Sequence, residues 1–464
     1  MEPRTTQYIA GATGGRLRGD GSRLVRRVCT DSRQAREGDL FIAIKGERLD
    51  GHSFLGEVLA RRPAAVLVSR GSDISGISET AVIEVNDTRA ALGRLGAHYR
   101  ADFSLPVIVV AGSNGKTTTK EIIASVLGQK GPVARSEASF NNDIGVPLSL
   151  LGLESSQKAG VFEAGTNHPG ELAPLVRMIA PKYAVITSIG REHLEHFRTL
   201  EGVAREEGWA AELLPADGKL FINGDTGHLD SIGARTKACV VTVGAGEGCV
   251  WRVEEARSEV RTTTFNLQAP DRAYSGSYRV PLVGAHQAVN AAFAVALGAE
   301  LGLGRTQIQA GLSECKPAKM RLQFWEGQGL RVLDDSYNAN EDSMIAALRT
   351  LALFPCAGRR VAVLGDMAEL GAGSESAHFE VGRCAAELGV GQLFAIGSMA
   401  GQMGRGARAA GLHRVLEFPG VEVATSAVRS FLKPGDVVLV KASRVMRLER
   451  ITDALRGAET SRKD

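Results

Sequence analysis

The chain has 464 residues, enough for about three domains of ordinary size. Its 55 Lys and Arg against 52 Asp and Glu are scattered without long single-sign runs, which excludes a nucleic-acid footprint and a polybasic membrane patch and points to a small-molecule partner. Six cysteines (Cys29, Cys239, Cys249, Cys315, Cys356, Cys384) stand singly with no Cys-x-x-Cys pair, so neither a disulfide framework nor a structural zinc site is expected.

The opening residues lack a basic start followed by an apolar core, and no apolar run approaches the roughly 18 residues of a membrane span. A soluble, cytoplasmic protein is the expectation. Over the first hundred residues, short β-like pieces (40–44, 65–68) alternate with turn clusters and end in an amphipathic stretch at 88–100, predicting a small α/β domain. From residue 105 the pattern becomes strand then helix: strand 107–110, helix 116–129, strands 183–188 and 219–223. That alternation predicts a parallel sheet with covering helices. Residues 250–280 are more polar and β-prone, suiting an antiparallel flap, and a helix at 285–301 closes the segment. After Met320 a new alternation (330–334, 360–364, 392–396, 436–440) predicts a third, doubly wound domain, with a hinge near 316–320. The expected division is therefore 1–103, 104–317 and 318–464, ending in a polar tail at 461–464.

The chemistry is concentrated at the end of the strand 107–110. There the apolar run breaks into Gly112-Ser113-Asn114-Gly115-Lys116-Thr117-Thr118, which reads as strand, phosphate loop, helix. Gly112 and Gly115 let backbone N–H groups turn inward around a polyphosphate; Lys116 brings positive charge to the β- and γ-phosphates, Thr117 a hydroxyl for Mg²⁺, and the helix its positive end. A full Walker pattern would have another Gly five residues before Gly115, where Val110 stands, so the loop is a shorter one. Downstream, Glu163 falls at the end of a predicted strand, where ligands gather in open α/β sheets, and with Thr117 it would make a reasonable protein share of an Mg²⁺ shell. His193 and His196 follow another strand end. By themselves they carry no assignment.

Further blocks in chain order are Asp31-Ser-Arg33, Gly38-Asp-Leu-Phe41, Asp50-Gly-His52, Asn141-Asn-Asp-Ile-Gly-Val-Pro-Leu148, Glu163-Ala-Gly165, Glu192-His-Leu194 and Gly284-Ala-His286 with Asn290. Arg321, Asp334-Asp-Ser-Tyr-Asn-Ala-Asn340, Leu364-Gly-Asp-Met-Ala-Glu-Leu-Gly371 and Lys441-Ala-Ser-Arg444 complete the series. The ordered set resembles the Mur ligase family, and within it the branch that joins D-alanyl-D-alanine to UDP-N-acetylmuramoyl-tripeptide in peptidoglycan precursor synthesis. The block at 334–340 separates it from the sister branch that adds the third residue, and no Asp-Asn-Pro-Arg block is present.

The resemblance implies three α/β domains: an N-terminal domain for the UDP-sugar, a central ATPase domain and a C-terminal Rossmann-like ligase domain. It implies ATP and Mg²⁺ as cofactors, a monomer, and an acyl phosphate that the incoming amine opens. On the family's pattern Lys116 and Thr117 serve the phosphates and a first Mg²⁺, Glu163 the metal, and His193 a second Mg²⁺. Asn290, Arg321 and Asp335 would hold adenine, phosphate and ribose. Ser32, Arg33, Gly46, Asp50 and His52 would meet the uridine diphosphate, and Asn141 and Asn142 the sugar. Tyr337, Asn338, Asn340, Ser343 and Arg444 would shape the dipeptide and acyl end.

The family carries a carbamylated Lys in a pattern like Ala-x-x-Lys-Gly-Glu, where this chain reads Val203-Ala-Arg-Glu-Glu-Gly-Trp-Ala210. Aligned there, Glu207 would offer an unmodified carboxylate as second-metal ligand. Gln287, where the family often has Asn, is a minor departure. Two alternatives stay open from the residues alone. One is another Mur-type or folylpolyglutamate-type ligase, disfavoured by the 337–340 block; the other is a nucleotide-binding protein of this fold without catalysis, which Glu207 would suit.

Overall fold

The computed structural model describes residues 1–46, 49–75 and 77–457; the polar tail at 461–464 lies outside the described residues. Runs of β-branched residues form the strands. Val107–Ala111 is buried at all five positions, as a strand covered on both faces requires.

Nearest the N-terminus, five strands stand in the order Arg16–Arg18, Ala81–Val85, Ala65–Ser69, Asp39–Ile42, Arg27–Cys29, antiparallel only at the first pair. The second sheet has nine strands: Gly276–Val280, Thr263–Gln268, Trp251–Ser258, Cys239–Gly244, Lys219–Asn223, Tyr183–Ile186, Val107–Ala111, Ala159–Glu163 and Val133–Arg135. Its last seven are parallel, and the chain runs from Val107–Ala111 first to one side and then to the other. Such a reversal opens a crevice at the strands' C-terminal ends. The antiparallel flap expected over 250–280 is there, but it continues the main sheet through the parallel pair of Trp251–Ser258 with Cys239–Gly244. The third sheet runs Gln323–Gly327, Leu330–Asp335, Val437–Lys441, Arg360–Gly365, Gln392–Ile396, Val415–Phe418, and only its first pair is antiparallel.

The first two sheets share a core. The helix Thr88–Ala101, capped by the Asp87 carboxylate, packs so close to Pro147 that a Cβ on Gly96 would stand 2.6 Å from the proline's Cβ. From that helix the buried Arg100 guanidinium donates to Ile179 O (3.0 Å), Ala180 O (3.2 Å) and Phe103 O (2.6 Å). It thereby satisfies carbonyls left open at the end of the helix Leu172–Ile179.

Candidate active site

Gly112 and Gly115 both have left-handed backbones, with φ of +109° and +84°. Side chains are also excluded by space: a Cβ on Gly112 would lie 2.8 Å from Thr187 N, and one on Gly115 2.9 Å from Asn290 Oδ1. The loop is stitched to the next strand end by Ser113 N donating to Ser188 O (2.8 Å) and Asn114 N to Ser188 Oγ (3.0 Å). Gly115 has no side chain to cap the helix Lys116–Leu127, which leaves that helix start to an anion.

Lys116 Nζ donates to Gly112 O (2.5 Å) and Ser113 O (3.2 Å) and stands 3.5 Å from Glu192 Oε2. Burial works to lower its pKa, but the carboxylates of Glu192, Glu207 and Glu163 outweigh it and hold the ammonium charged. Thr117 Oγ1 donates to Glu163 Oε2 (2.8 Å), and Asn141 Nδ2 to Glu163 Oε1 (2.8 Å). Ladder pairing sets Glu163 beside Val110, the residue just before the loop-bearing strand's last, so the carboxylate is delivered to the loop. Behind them Lys120, fully buried, donates to Ser136 O (2.7 Å) and Ala138 O (2.5 Å) and ties down the segment that carries Asn141. Thr117 and Glu163 form an all-oxygen set suited to Mg²⁺, which takes one or two protein ligands beside phosphate oxygens and waters. Among the described residues no group of three His, Cys, Asp or Glu side chains is gathered as a protein-only metal cage.

The third sheet supplies the facing wall. Asn340 Nδ2 donates to Asn114 Oδ1 (3.0 Å), the Tyr337 hydroxyl meets Ser139 Oγ, and Arg191 pairs with Glu341 (2.9 Å). Asp335 accepts from Leu322 N (3.0 Å) and pairs with the buried Lys441 ammonium (2.7 Å), which also donates to Asn338 O (2.8 Å). The Lys441 pKa is lowered by burial, against the pull of Asp335. Arg321 lies over the Tyr337 ring at 4.1 Å with its Nε buried and unpartnered. On the second unit's side, Asn290 Nδ2 donates to Gln287 Oε1 (2.9 Å), whose amide nitrogen is 3.0 Å from His286 Nε2. Burial lowers the His286 pKa. The walls enclose a cleft of about 780 Å³, lined by residues 113–118, Glu163, His193, Asn290, Arg321, Asp335 and Tyr337 among others.

The cleft also brings in Asn141, Asn142, Asn338, Asn340, Ser343 and Arg444. Asn142 Oδ1 accepts from Gly145 N (2.8 Å), Ser343 joins Asn340 in a reciprocal helix cap, and Arg444 pairs with Glu449 (2.9 Å). Ser32, Arg33, Gly46, Asp50 and His52 do not line it; they sit on the first sheet's loops. There Arg33 pairs with Asp31 (2.7 Å), Gly46 N donates to Leu49 O (2.9 Å), and Ser69 N donates to His52 Nε2 (3.0 Å) while Asp50 holds Nδ1 (2.6 Å).

One expectation needs correction. Glu207 was read as a ligand of a second metal beside His193, but its carboxylate does not line the cleft. It lies fully buried beneath the loop, with Oε2 accepting the Gly112 N–H at 2.6 Å and Oε1 unpartnered. The stem of a Glu is shorter than that of a carbamylated Lys, and it ends at the loop backbone. Burial, then the charge of Glu192, pushes its pKa up to about 8, opposed by Lys116 and the Gly112 amide. Lys120, Glu192, Glu369 and Lys441 carry no role that the sequence alone discloses. Lys120 stood four residues after Lys116, one helical turn on; the other three lay inside quoted blocks with no sign of their partners.

A family model described as the Mur ligase middle domain matches residues 110–298, one described as the Mur ligase glutamate ligase domain matches 320–444, and one described as the Mur ligase family catalytic domain matches 24–100. A UDP-N-acetylmuramoyl-tripeptide--D-alanyl-D-alanine ligase of Bacillus subtilis is 34% identical over 460 residues, 98% of this chain and 99% of its own. A crystal structure of MurF from Acinetobacter baumannii superposes with a TM-score of 0.89 at 33% identity, covering 98% of this chain and 99% of that one. MurF ligase from Thermotoga maritima, in complex with ADP, gives a TM-score of 0.80 at 27% identity over 94% of this chain and 99% of its own. Phosphate loop, facing wall and full-length likeness agree: the chain belongs to the Mur ligase family.

Proposed function

We propose that this protein is an ATP-dependent ligase that adds D-alanyl-D-alanine to UDP-N-acetylmuramoyl-tripeptide, a step of peptidoglycan precursor synthesis in the cytoplasm. The observation that carries the reading is the Asn114–Asn340 hydrogen bond, which sets the phosphate loop directly against the third unit's wall. The likeness to ligases of that name along nearly the whole chain supports the choice of substrates. Domain limits of 1–103, 104–317 and 318–464, and action as a monomer, are part of the same proposal.

Catalysis here is positioning and charge neutralisation. Lys116 and the helix start at Gly115–Thr118 hold the triphosphate tail, with Asn290, Arg321 and Asp335 toward its nucleoside end. The tripeptide carboxylate attacks the γ-phosphorus and ADP leaves, giving an acyl phosphate. The dipeptide amine, neutral after its ammonium proton has passed to solvent, attacks the acyl carbon; phosphate departs with its bonding pair and takes up the proton that the nitrogen sheds as the amide forms. Tyr337, Asn338 and Arg444 border the acyl and dipeptide end. Thr117 and Glu163 would hold Mg²⁺, which when bound neutralises phosphate charge.

The deciding measurement is phosphate release from ATP with each acceptor alone and with both. Release that requires UDP-N-acetylmuramoyl-tripeptide and D-alanyl-D-alanine together is expected; release indifferent to either overturns the proposal.

A further inference from the structure

The third unit touches the cleft's histidine through one side chain. Glu369 follows the strand Arg360–Gly365, and its carboxylate meets His193 Nδ1 on the second unit. Its backbone joins in: Glu369 O accepts from Glu195 N at 3.0 Å. The contact is tight, since a Cβ on Gly371 would stand 3.1 Å from Glu195 Cα. Both residues are held in left-handed backbones, His193 with φ of +48° and Glu369 with φ of +61°. Such conformations are unfavourable in a non-glycine residue and persist where surroundings over-determine them.

A carboxylate is acceptor only, so in the neutral ring Nδ1 carries the proton. Nε2 is then left with the lone pair, on a ring that lines the cleft. Without Glu369, nothing else among the described residues is bonded to the His193 ring nitrogens, and the ring could rotate or change tautomer.

We propose that Glu369 is a positioning residue: docking of the third unit's 365–371 loop on the His193 turn fixes the tautomer and direction of that imidazole, so the phosphate site is completed only in the closed arrangement. The inference deepens the ligase reading above and rests on it for the role of His193, the side chain that the family resemblance sets toward a second Mg²⁺, but its structural half stands independently. Behind a histidine that binds a metal, removal of such a carboxylate partner costs about 10–100-fold.

The test uses the full chain with ¹⁵N-histidine and no nucleotide. The His193 signals are assigned by their absence in His193→Ala, and thermal melts confirm that each variant folds. Wild type should show one pyrrole-type and one pyridine-type nitrogen for His193. Glu369→Ala should average them, whereas Glu369→Gln, which retains an acceptor oxygen, should preserve the distinction. In the ligase assay Glu369→Ala should lower kcat about 10- to 100-fold with KM for ATP unchanged within about twofold, and should add no loss to His193→Ala. His193 nitrogens unmoved by Glu369→Ala, or losses that multiply in the double variant, overturn the proposal. Absence of ligase turnover in wild type would sink the functional reading, while the nitrogen signals would still decide this one.

Discussion

The Gly112 N–H donates to Glu207 Oε2 at 2.6 Å, while the other oxygen of the same carboxylate is buried without a partner. One oxygen therefore holds the first residue of the phosphate loop, and the other leaves an uncompensated desolvation cost. With a folded-state pKa of about 8 against an ordinary 4.5, the native protein binds this proton more tightly than the unfolded chain does. Native stability must then fall as pH rises from about 4.5 to about 8, because ionisation is opposed only in the folded state. Glu207→Gln keeps an acceptor for Gly112 and cannot ionise. Its melting temperature relative to wild type should climb between pH 5 and pH 8; a difference independent of pH would refute the burial account.

Because Glu207 is a carboxylate without modification, no carbamate has to form at this place. Ligase rates in CO₂-depleted and bicarbonate-supplemented buffer should agree. Glu207→Ala, which loses the Gly112 acceptor altogether, should weaken ATP binding more than Glu207→Gln does. Bicarbonate stimulation of wild type would refute carbamate-free turnover, and equal ATP affinity in the two variants would show that the loop anchor is misassigned.

Lys116 is surrounded by three carboxylates, and its removal should do more than delete one phosphate contact. In Lys116→Ala the Glu192 carboxylate loses its buried counter-ion, and the turnover rate should drop by about 10²–10³-fold, the usual scale for a preorganised charge at a reacting group. Wild-type amide formation by the variant would remove the basis for placing the triphosphate here.

How far the sequence reveals this site depends on the range of each signal. The phosphate loop was legible because its glycines, Lys116 and Thr117 are contiguous and their roles follow from local backbone geometry. The central strands were legible for a similar reason: Val107–Ala111 and Val437–Lys441 are buried on both faces and read as unbroken apolar runs. Val415–Phe418 was not, since four residues with exposed Leu416 and Glu417 show neither alternation nor a full apolar run. The fate of Glu207 was out of reach as well. Its neighbour in space is a backbone amide 95 positions away, and pattern cannot report how far a side chain's stem extends. The Glu369–His193 contact spans 176 positions and depends on how the third unit docks, which no local propensity encodes.

Asn340 has two tasks that can be separated. It caps the helix Glu341–Leu353, accepting from Ser343 N (2.9 Å), and it crosses the cleft to Asn114 (3.0 Å). Ser343 only returns the cap, accepting from Asn340 N at 3.0 Å. Loss of an N-cap costs about 1 kcal/mol, so Asn340→Ala should lower the melting temperature clearly and Ser343→Ala by less. Only Asn340→Ala also severs the link between loop and wall, and it should reduce kcat further than Ser343→Ala does, beyond what its stability loss explains. Comparable kcat in the two variants at a temperature where both are folded would deny the cross-cleft bond a role.

The buried Lys441–Asp335 pair offers the sharpest contrast between keeping a charge and removing two. Lys441 is 2% exposed, and among the described residues its ammonium has only Asp335 Oδ2 (2.7 Å) and Asn338 O (2.8 Å) as partners. Lys441→Met would leave the Asp335 carboxylate in the same dry wall with a single backbone donor, Leu322 N. Breaking one side of such a pair costs about 3–5 kcal/mol, whereas replacing both members by apolar residues of similar volume is often neutral. Urea denaturation should therefore show Lys441→Met strongly destabilised and Lys441→Met/Asp335→Leu restored to near wild type. Activity should not return with stability, because Asp335 lines the cleft, where the proposed function sets it toward the nucleoside, and a leucine there offers no oxygen. A double variant as unstable as the single would mean that the wall is held by packing around Leu333 and Leu439, with the ion pair incidental to it.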